Sequence, residues 1–129
     1  MQEANILKEY NIVAVVGLST DPNRPSHRVA KYLISQGYKV IPVNPDAREI
    51  LGKRSYTTLS SIPEPIEIVD IFRRSEEVLP IVDEAIKIGA KAVWMQEGVI
   101  NEEAAARARD AGLDVVMDKC MKKEHEKLA

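Results

Sequence analysis

The sequence predicts a single-domain, doubly wound α/β fold built on a mainly parallel sheet of five or six strands. Three observations predict it. The apolar residues fall in short unbroken blocks rich in Val and Ile, the pattern of strands covered on both faces. Segments with helical apolar spacing lie between the blocks, and that alternation implies right-handed crossovers between parallel strands. Gly37, Gly89 and Gly112 each follow a helical segment, where a left-handed residue ends a helix.

In chain order, Met1–Tyr10 is expected to form a short helix and Ile12–Val16 the first strand. A helix starting at Pro25 or Ser26 carries Val29, Ala30, Leu33 and Ile34 at helical spacing, and Lys39–Val43 is the second strand. From Asn44 to Ile66 the rhythm breaks, with Pro45, Gly52, Pro63 and Pro65 and weak periodicity. This stretch reads as a loop, a short third strand around Arg54-Ser55-Tyr56 and a helical turn at Thr58–Ile62. A strand over Ile68–Phe72 follows. Pro80 would interrupt a helix begun at Ser75, so it is expected at a first helical position, with Ile81, Val82, Ala85 and Ile86 facing the sheet. Ala90–Met95 is the next strand. Asn101 caps a further helix with Glu102 and Glu103 in its first turn and Arg107 and Arg109 in its last, an order that suits the helix dipole. Val115–Met117 is the last strand, and residues 119–129 form a charged terminal helix. No internal repeat is visible.

The 129 residues, 45% of them hydrophobic, are enough for one core that buries roughly two thirds of the surface exposed by the unfolded chain. A single Cys cannot staple the fold and suits a reducing cytoplasm. Eighteen Lys and Arg against twenty Asp and Glu give a net charge of −2, which excludes nucleic acid or an anionic membrane as a default partner. Any bound anion must be held locally. Met1–Asn5 has no basic region leading into an apolar run and no stretch is long and apolar enough to span a bilayer, so a cytoplasmic protein without a membrane segment is expected. One Cys and two His are too few for a zinc site.

In an open α/β sheet, ligands bind beyond the carboxyl ends of the strands, where strand order reverses. After the first strand, Gly17 is followed by Ser19 and Pro22 rather than by the further glycines of a dinucleotide loop. Ser19, Arg24 and Ser26 set two hydroxyls and a guanidinium near a helix N-terminus, a place that accepts anions. Equally, Ser26 is a plain helix cap and Arg24 a solvated side chain. The second strand ends at Asn44-Pro45 without the acidic residue that holds the ribose of NAD, which disfavours that cofactor. Pro45 restricts Asn44 to an extended conformation, giving either a rigid wall for a base or an ordinary turn. Arg73-Arg74 directly follows a strand end. Two guanidiniums there suit a multiply charged anion, the alternative being pairing with Asp70, Glu76 or Glu77.

These pieces occur together and in order with Ile50-Leu51-Gly52, Val69–Arg74, Gly89–Gln96, Asp118-Lys119-Cys120 and Glu124-His125. Over Asn11 to Leu128 the chain thereby resembles the small stand-alone CoA-binding proteins, which are similar to the CoA-binding domain of the succinyl-CoA synthetase alpha subunit. The resemblance implies a Rossmann-like fold that binds coenzyme A or an acyl-CoA, with residues 1–129 as one CoA-binding domain. It implies that Gly17, the Ser19–Ser26 loop with Arg24, and Asn44-Pro45 contact the nucleotide part. Phe72, Arg73 and Arg74 would flank the adenosine and phosphates, and Met95, Gln96 and Gly98 the pantetheine arm. CoA carries a 3′-phosphate and a diphosphate, which agrees with local cations and with the missing acidic ribose ligand.

The resemblance does not imply a reaction. The related ligase phosphorylates a histidine on a further domain, whereas His27 and His125 stand in no nucleophile arrangement. The corresponding Cys of the ligases lies toward the CoA thiol, so Cys120 is read either as a thiol neighbour of CoA or as a buried small hydrophobe. The leading expectation is a non-catalytic sensor, carrier or regulatory module. Acyl-CoA or CoA-disulfide chemistry through Cys120 and a protein-interaction scaffold are the alternatives. The helix faces suit a monomer or a homodimer, and the sequence points to no particular protein partner.

Overall fold

The computed structural model describes residues 2–128. Met1 and Ala129, the outer ends of two expected helices, lie outside the described residues. The elements follow the predicted alternation: α1 (Gln2–Glu9), β1 (Ile12–Val16), α2 (Pro25–Ser35), β2 (Lys39–Val43), β3 (Glu49–Ile50), β4 (Lys53–Arg54), β5 (Ile68–Ile71), α3 (Val78–Lys87), β6 (Ala92–Met95), α4 (Glu102–Asp110), β7 (Asp114–Val116) and α5 (Met121–Glu126). Five strands form one sheet in the order β2-β1-β5-β6-β7, with every pair parallel. The chain moves outward from β1 to β2 and then returns to β5 on the other side of β1. Strand order therefore reverses between β1 and β5, which opens a crevice above their carboxyl ends.

The unbroken apolar runs follow from helices on both faces. Val13, Val15, Val40, Ile68, Trp94 and Val116 pack with Ile6, Leu7, Val29, Leu33 and Met121 on the side of α1, α2 and α5. The alternate residues Ala14, Ile41, Val69, Ile71, Val93 and Met95 pack with Val78, Val82, Ala85, Ala104 and Ala108 on the side of α3 and α4. The period of two along each strand divides one apolar run between two cores.

Three local expectations are corrected. Glu49–Ile50 and Lys53–Arg54 form a separate antiparallel hairpin, so the expected third strand at Arg54-Ser55-Tyr56 is reduced to one parallel bridge between Tyr56 and Val43. The main sheet thus has five strands. Pro80 is the third rather than the first residue of α3, which begins after a 3-10 turn at Ser75–Glu77. The first turn tolerates it because amides there have no acceptor within the helix. The terminal helix spans only Met121–Glu126, and Lys119 and Cys120 form the approach to it. As expected, Asn101 caps α4, its Oδ1 accepting the Ala104 N–H at 2.9 Å.

The approach to α5 is tied to the sheet. Trp94 Nε1 donates to the Lys119 carbonyl at 2.8 Å, and the Met121 N–H donates to Gln96 Oε1 at 3.2 Å. Beyond it, Tyr32 Oη and His125 Nδ1 share a hydrogen bond of 2.7 Å, and the Tyr32 and Tyr38 rings both meet the imidazole near-perpendicular. His125 therefore docks α5 onto α2. Together these contacts fix Cys120 at the rim of the crevice.

Candidate functional site

Gly17 follows β1 with φ +87°, and a side chain there would collide with the chain leaving β5: a Cβ would lie 2.4 Å from the Phe72 carbonyl oxygen and 3.0 Å from Arg73 Cδ. The lack of a side chain lets the two loops cross and lays the Arg73 stem over Gly17. The loop that follows is fastened by its own polar groups. The Ser19 N–H donates to Ser26 Oγ at 2.9 Å, His27 Nδ1 donates to the Ser19 carbonyl at 2.9 Å, and Ser19 Oγ accepts the Asp21 N–H at 3.0 Å. Ser26 is buried in the second position of α2 and therefore clamps the loop instead of capping the helix. The residue in the cap position is Arg24, exposed and without an ion pair among the described residues.

A cavity of about 630 Å³ opens above these loops, within the range of small-molecule sites. Around it stand Gly17, Ser19, Arg24, Ser26, Phe72, Arg73, Arg74, Gln96 and Cys120, which the sequence had singled out, with Pro25 of the Ser19–Ser26 loop, and also Val29, Glu77, Glu97 and Val99, which it had not assigned to the site. A second cavity of about 360 Å³ adjoins it on the α3 side, lined by Pro45, Thr57, Thr58, Leu59 and Ile81 among others. Gly17, Arg73 and Glu77 border both cavities and form a ridge between them.

Three predicted residues are placed differently. Asn44 faces backbone: its Nδ2 donates to the Leu18 carbonyl at 2.9 Å and its Oδ1 accepts the Asp46 N–H at 2.8 Å. It joins the first loop to the second and lines neither cavity. Met95 is fully buried in the core against α3 and α4, because alternation along β6 turns it to the face opposite Trp94. Gly98 borders neither cavity; its N–H donates to Asp118 Oδ1 at 2.7 Å, so it braces the rim. Thr57 and Thr58 had no place in the predicted site, since theirs depends on a loop with weak periodicity, although Thr58 does open the expected helical turn.

The electrostatics are mixed. Arg73 Nε donates to Glu77 Oε2 at 2.9 Å, and an Arg74 terminal nitrogen reaches Glu77 Oε1 at 3.5 Å. The hydrogen bond from Arg73 holds the Glu77 carboxyl below its ordinary range. The terminal amino groups of Arg73 have no partner among the described residues. Glu97, also on the cavity wall, is ion-paired with Lys123 at 3.1 Å. Such a site offers free guanidinium edges, hydroxyls and a helix N-terminus to an anion. Cys120 is 9% exposed, buried yet part of the cavity wall.

Comparison with known proteins fits this geometry. The family model described as CoA binding domain matches residues 11–126. The uncharacterized protein YneT of Bacillus subtilis is 42% identical over 120 residues, which is 93% of this chain and 89% of that protein. A hypothetical protein from Pyrococcus horikoshii OT3 superposes with a TM-score of 0.95 at 44% identity, covering 98% of this chain and 89% of the other. The alpha subunit of the ADP-forming acetate–CoA ligase II of Pyrococcus furiosus is 33% identical over 82 residues, 63% of this chain but only 18% of the subunit. The match to that ligase is thus confined to a small part of it, and the ligase reaction does not transfer with it. With the fold, the crevice and a family match that runs from β1 through α5, the chain belongs to the CoA-binding domain family.

Proposed function

We propose that the crevice binds coenzyme A or an acyl-CoA and that the chain, as one CoA-binding domain, serves as a sensor, carrier or regulatory module without catalysis of its own. One observation carries the reading: an arginine with both terminal amino groups unpaired stands on the ridge between two adjoining cavities at the switch point of the sheet. A bent ligand with phosphates at its middle matches that shape. In this reading Arg73, with Arg74 and Arg24, takes the phosphates through charge-assisted hydrogen bonds. The Ser19–Ser26 loop supplies hydroxyls and the N-terminus of α2. Phe72 and Pro45 offer apolar surface to the adenosine, and the pantetheine arm runs past Gln96 toward Cys120. The unpaired cations and the combined cavity size fit this ligand class.

Calorimetry on protein stripped of ligand tests the reading, with ATP and NAD as controls. Saturable heat with CoA, and much weaker heat with both controls, supports it. No heat with CoA overturns it.

Cys120 favours a second reading, because its thiol belongs to the same cavity wall. There it would undergo thiol–disulfide exchange with a CoA disulfide: the Cys120 thiolate attacks one sulfur, a mixed disulfide forms and a CoA thiolate leaves. Failure to find the CoA adduct on Cys120 by mass spectrometry after incubation with CoA disulfide removes this reading and leaves the first intact.

A further inference from the structure

Glu77 is out of place in a simple anion site. The residue borders both cavities, and its carboxylate carries the same charge as the phosphates that the ridge is proposed to hold. Charge alone argues that it weakens binding. Its geometry argues the reverse.

Glu77 accepts from Arg73 through Nε, the one guanidinium nitrogen within the side-chain stem, and leaves the terminal amino groups unpaired. The Arg73 stem is held a second time, since Cδ lies against the bare face of Gly17. The backbone that carries the carboxylate is itself fixed. It stands at the end of the 3-10 turn Ser75–Glu77, whose Glu77 N–H donates to the Arg74 carbonyl at 2.8 Å. That turn is pinned to the start of α4: Ser75 Oγ accepts the Ile100 N–H at 2.9 Å, and Asn101 Nδ2 donates to the Ser75 carbonyl at 2.9 Å. An arginine held at both stem and Nε has surrendered its rotamer freedom before any ligand arrives, which lowers what binding must later spend on ordering it.

We propose that Glu77 is the positioning residue of the crevice, holding Arg73 so that both terminal amino groups face a phosphate at the border between the two cavities. The proposal rests on the CoA reading. It makes affinity for a polyanion depend on a neighbouring carboxylate, a sign that electrostatics alone does not produce.

The experiment is calorimetry with CoA on the wild type, Glu77→Ala, Glu77→Ser, Glu77→Gln, Arg73→Ala and the double variant Arg73→Ala/Glu77→Ala, each checked by thermal unfolding. Glu77→Ala and Glu77→Ser should each weaken CoA binding about tenfold, and Glu77→Gln, whose amide oxygen still accepts from Nε, should stay within about threefold of wild type. On the Arg73→Ala background the further change to Glu77→Ala should have no effect, because a positioning residue acts only through the residue it positions. If the wild type binds CoA and Glu77→Ala and Glu77→Ser bind as tightly or more tightly, the inference is overturned while the CoA reading stands. A Glu77→Gln variant as weak as Glu77→Ala, or an undiminished Glu77 effect without Arg73, overturns it as well. Absence of CoA heat in the wild type removes the CoA reading and this inference together.

Discussion

Gly17 and Phe72 cross backbone to backbone: a Cβ on Gly17 would lie 2.4 Å from the Phe72 carbonyl oxygen. This approach joins the loops after β1 and β5 at the point where strand order reverses, and it sets the height of the Arg73 stem above the crevice. Because the obstacle is backbone, it cannot swing aside as a side chain would. Gly17→Ala is therefore expected to destabilise the fold by more than about 2 kcal/mol, combining a steric clash with a left-handed φ. Gly89, also left-handed at φ +78° but with open space for at least 4 Å around the point a Cβ would take, is the internal control. Gly89→Ala should cost only about 1 kcal/mol. Urea unfolding of both variants checks the difference, and equal losses would show that the crossing is not tight in solution.

The two adjacent arginines should differ in effect. Arg73 lies over Gly17 and borders both cavities, whereas the Arg74 side chain is 81% exposed and borders only the larger. Loss of a charge-assisted hydrogen bond worth about 1.5–3 kcal/mol predicts roughly a 10- to 150-fold weaker CoA affinity for Arg73→Ala. Arg74→Ala should weaken it by no more than about fivefold, as an exposed charge does. Calorimetry at two salt concentrations reads both. An equal loss from each would argue that the pair acts as diffuse charge rather than through one placed fork.

Asp70 is fully buried in β5, on the face it shares with Ile68, and both of its carboxylate oxygens lack a hydrogen-bond partner among the described residues. Its cross-strand neighbours are Val15 and Trp94. Burial raises its pKa well above the ordinary 3.8. The folded protein thus keeps this proton at pH values where the unfolded chain has released it. Relative to Asp70→Asn, the wild type should lose about 1.4 kcal/mol of stability per pH unit as pH rises from near 4 toward the folded pKa, and show no further change above it. Unfolding curves of both proteins from pH 4 to 9 measure the difference. A wild type that gains on the variant with rising pH would show that the carboxylate has found a partner.

Cys120 provides a probe of occupancy. It lines the larger cavity and is 9% exposed, so alkylation by iodoacetamide should be slow and slower still with CoA in place. At a hundredfold excess of CoA over its Kd, the rate should fall about a hundredfold if the ligand covers the thiol. Mass spectrometry of the Cys120 peptide follows the reaction. An unchanged rate at saturation would place the thiol end of the ligand elsewhere.

How far the sequence reached differs by element. The strands were legible because residues covered on both faces must be apolar at every position, and Gly37, Asn101 and Gly112 marked helix ends through local backbone chemistry. No helix among the described residues is long and apolar enough to cross a membrane. Residues directly after strands, such as Ser19, Arg73 and Gln96, could be assigned to the crevice because the topology of a parallel sheet dictates where strand ends gather.

What the sequence could not determine depends on direction and distance. The family resemblance placed Met95 beside the pantetheine arm, but the pleat turns that side chain into the opposite core. The sequence left Asn44 as either a wall or an ordinary turn, and the side chain is taken by the Leu18 carbonyl across 26 positions of sequence. It saw Asp70 only as an arginine's partner, while the alternation of β5 buries the carboxyl away from both arginines. It offered Glu77 as one of three partners for the arginines, and the choice of Glu77 required the turn that α4 holds in place. Sequence alone thus pointed to the family, the order of strands and helices along the chain and the loops that gather at the strand ends, because local patterning and chain topology govern these. Tertiary structure alone decided which atoms of those loops face the cavity, because that depends on side-chain direction and on contacts between residues far apart in the chain.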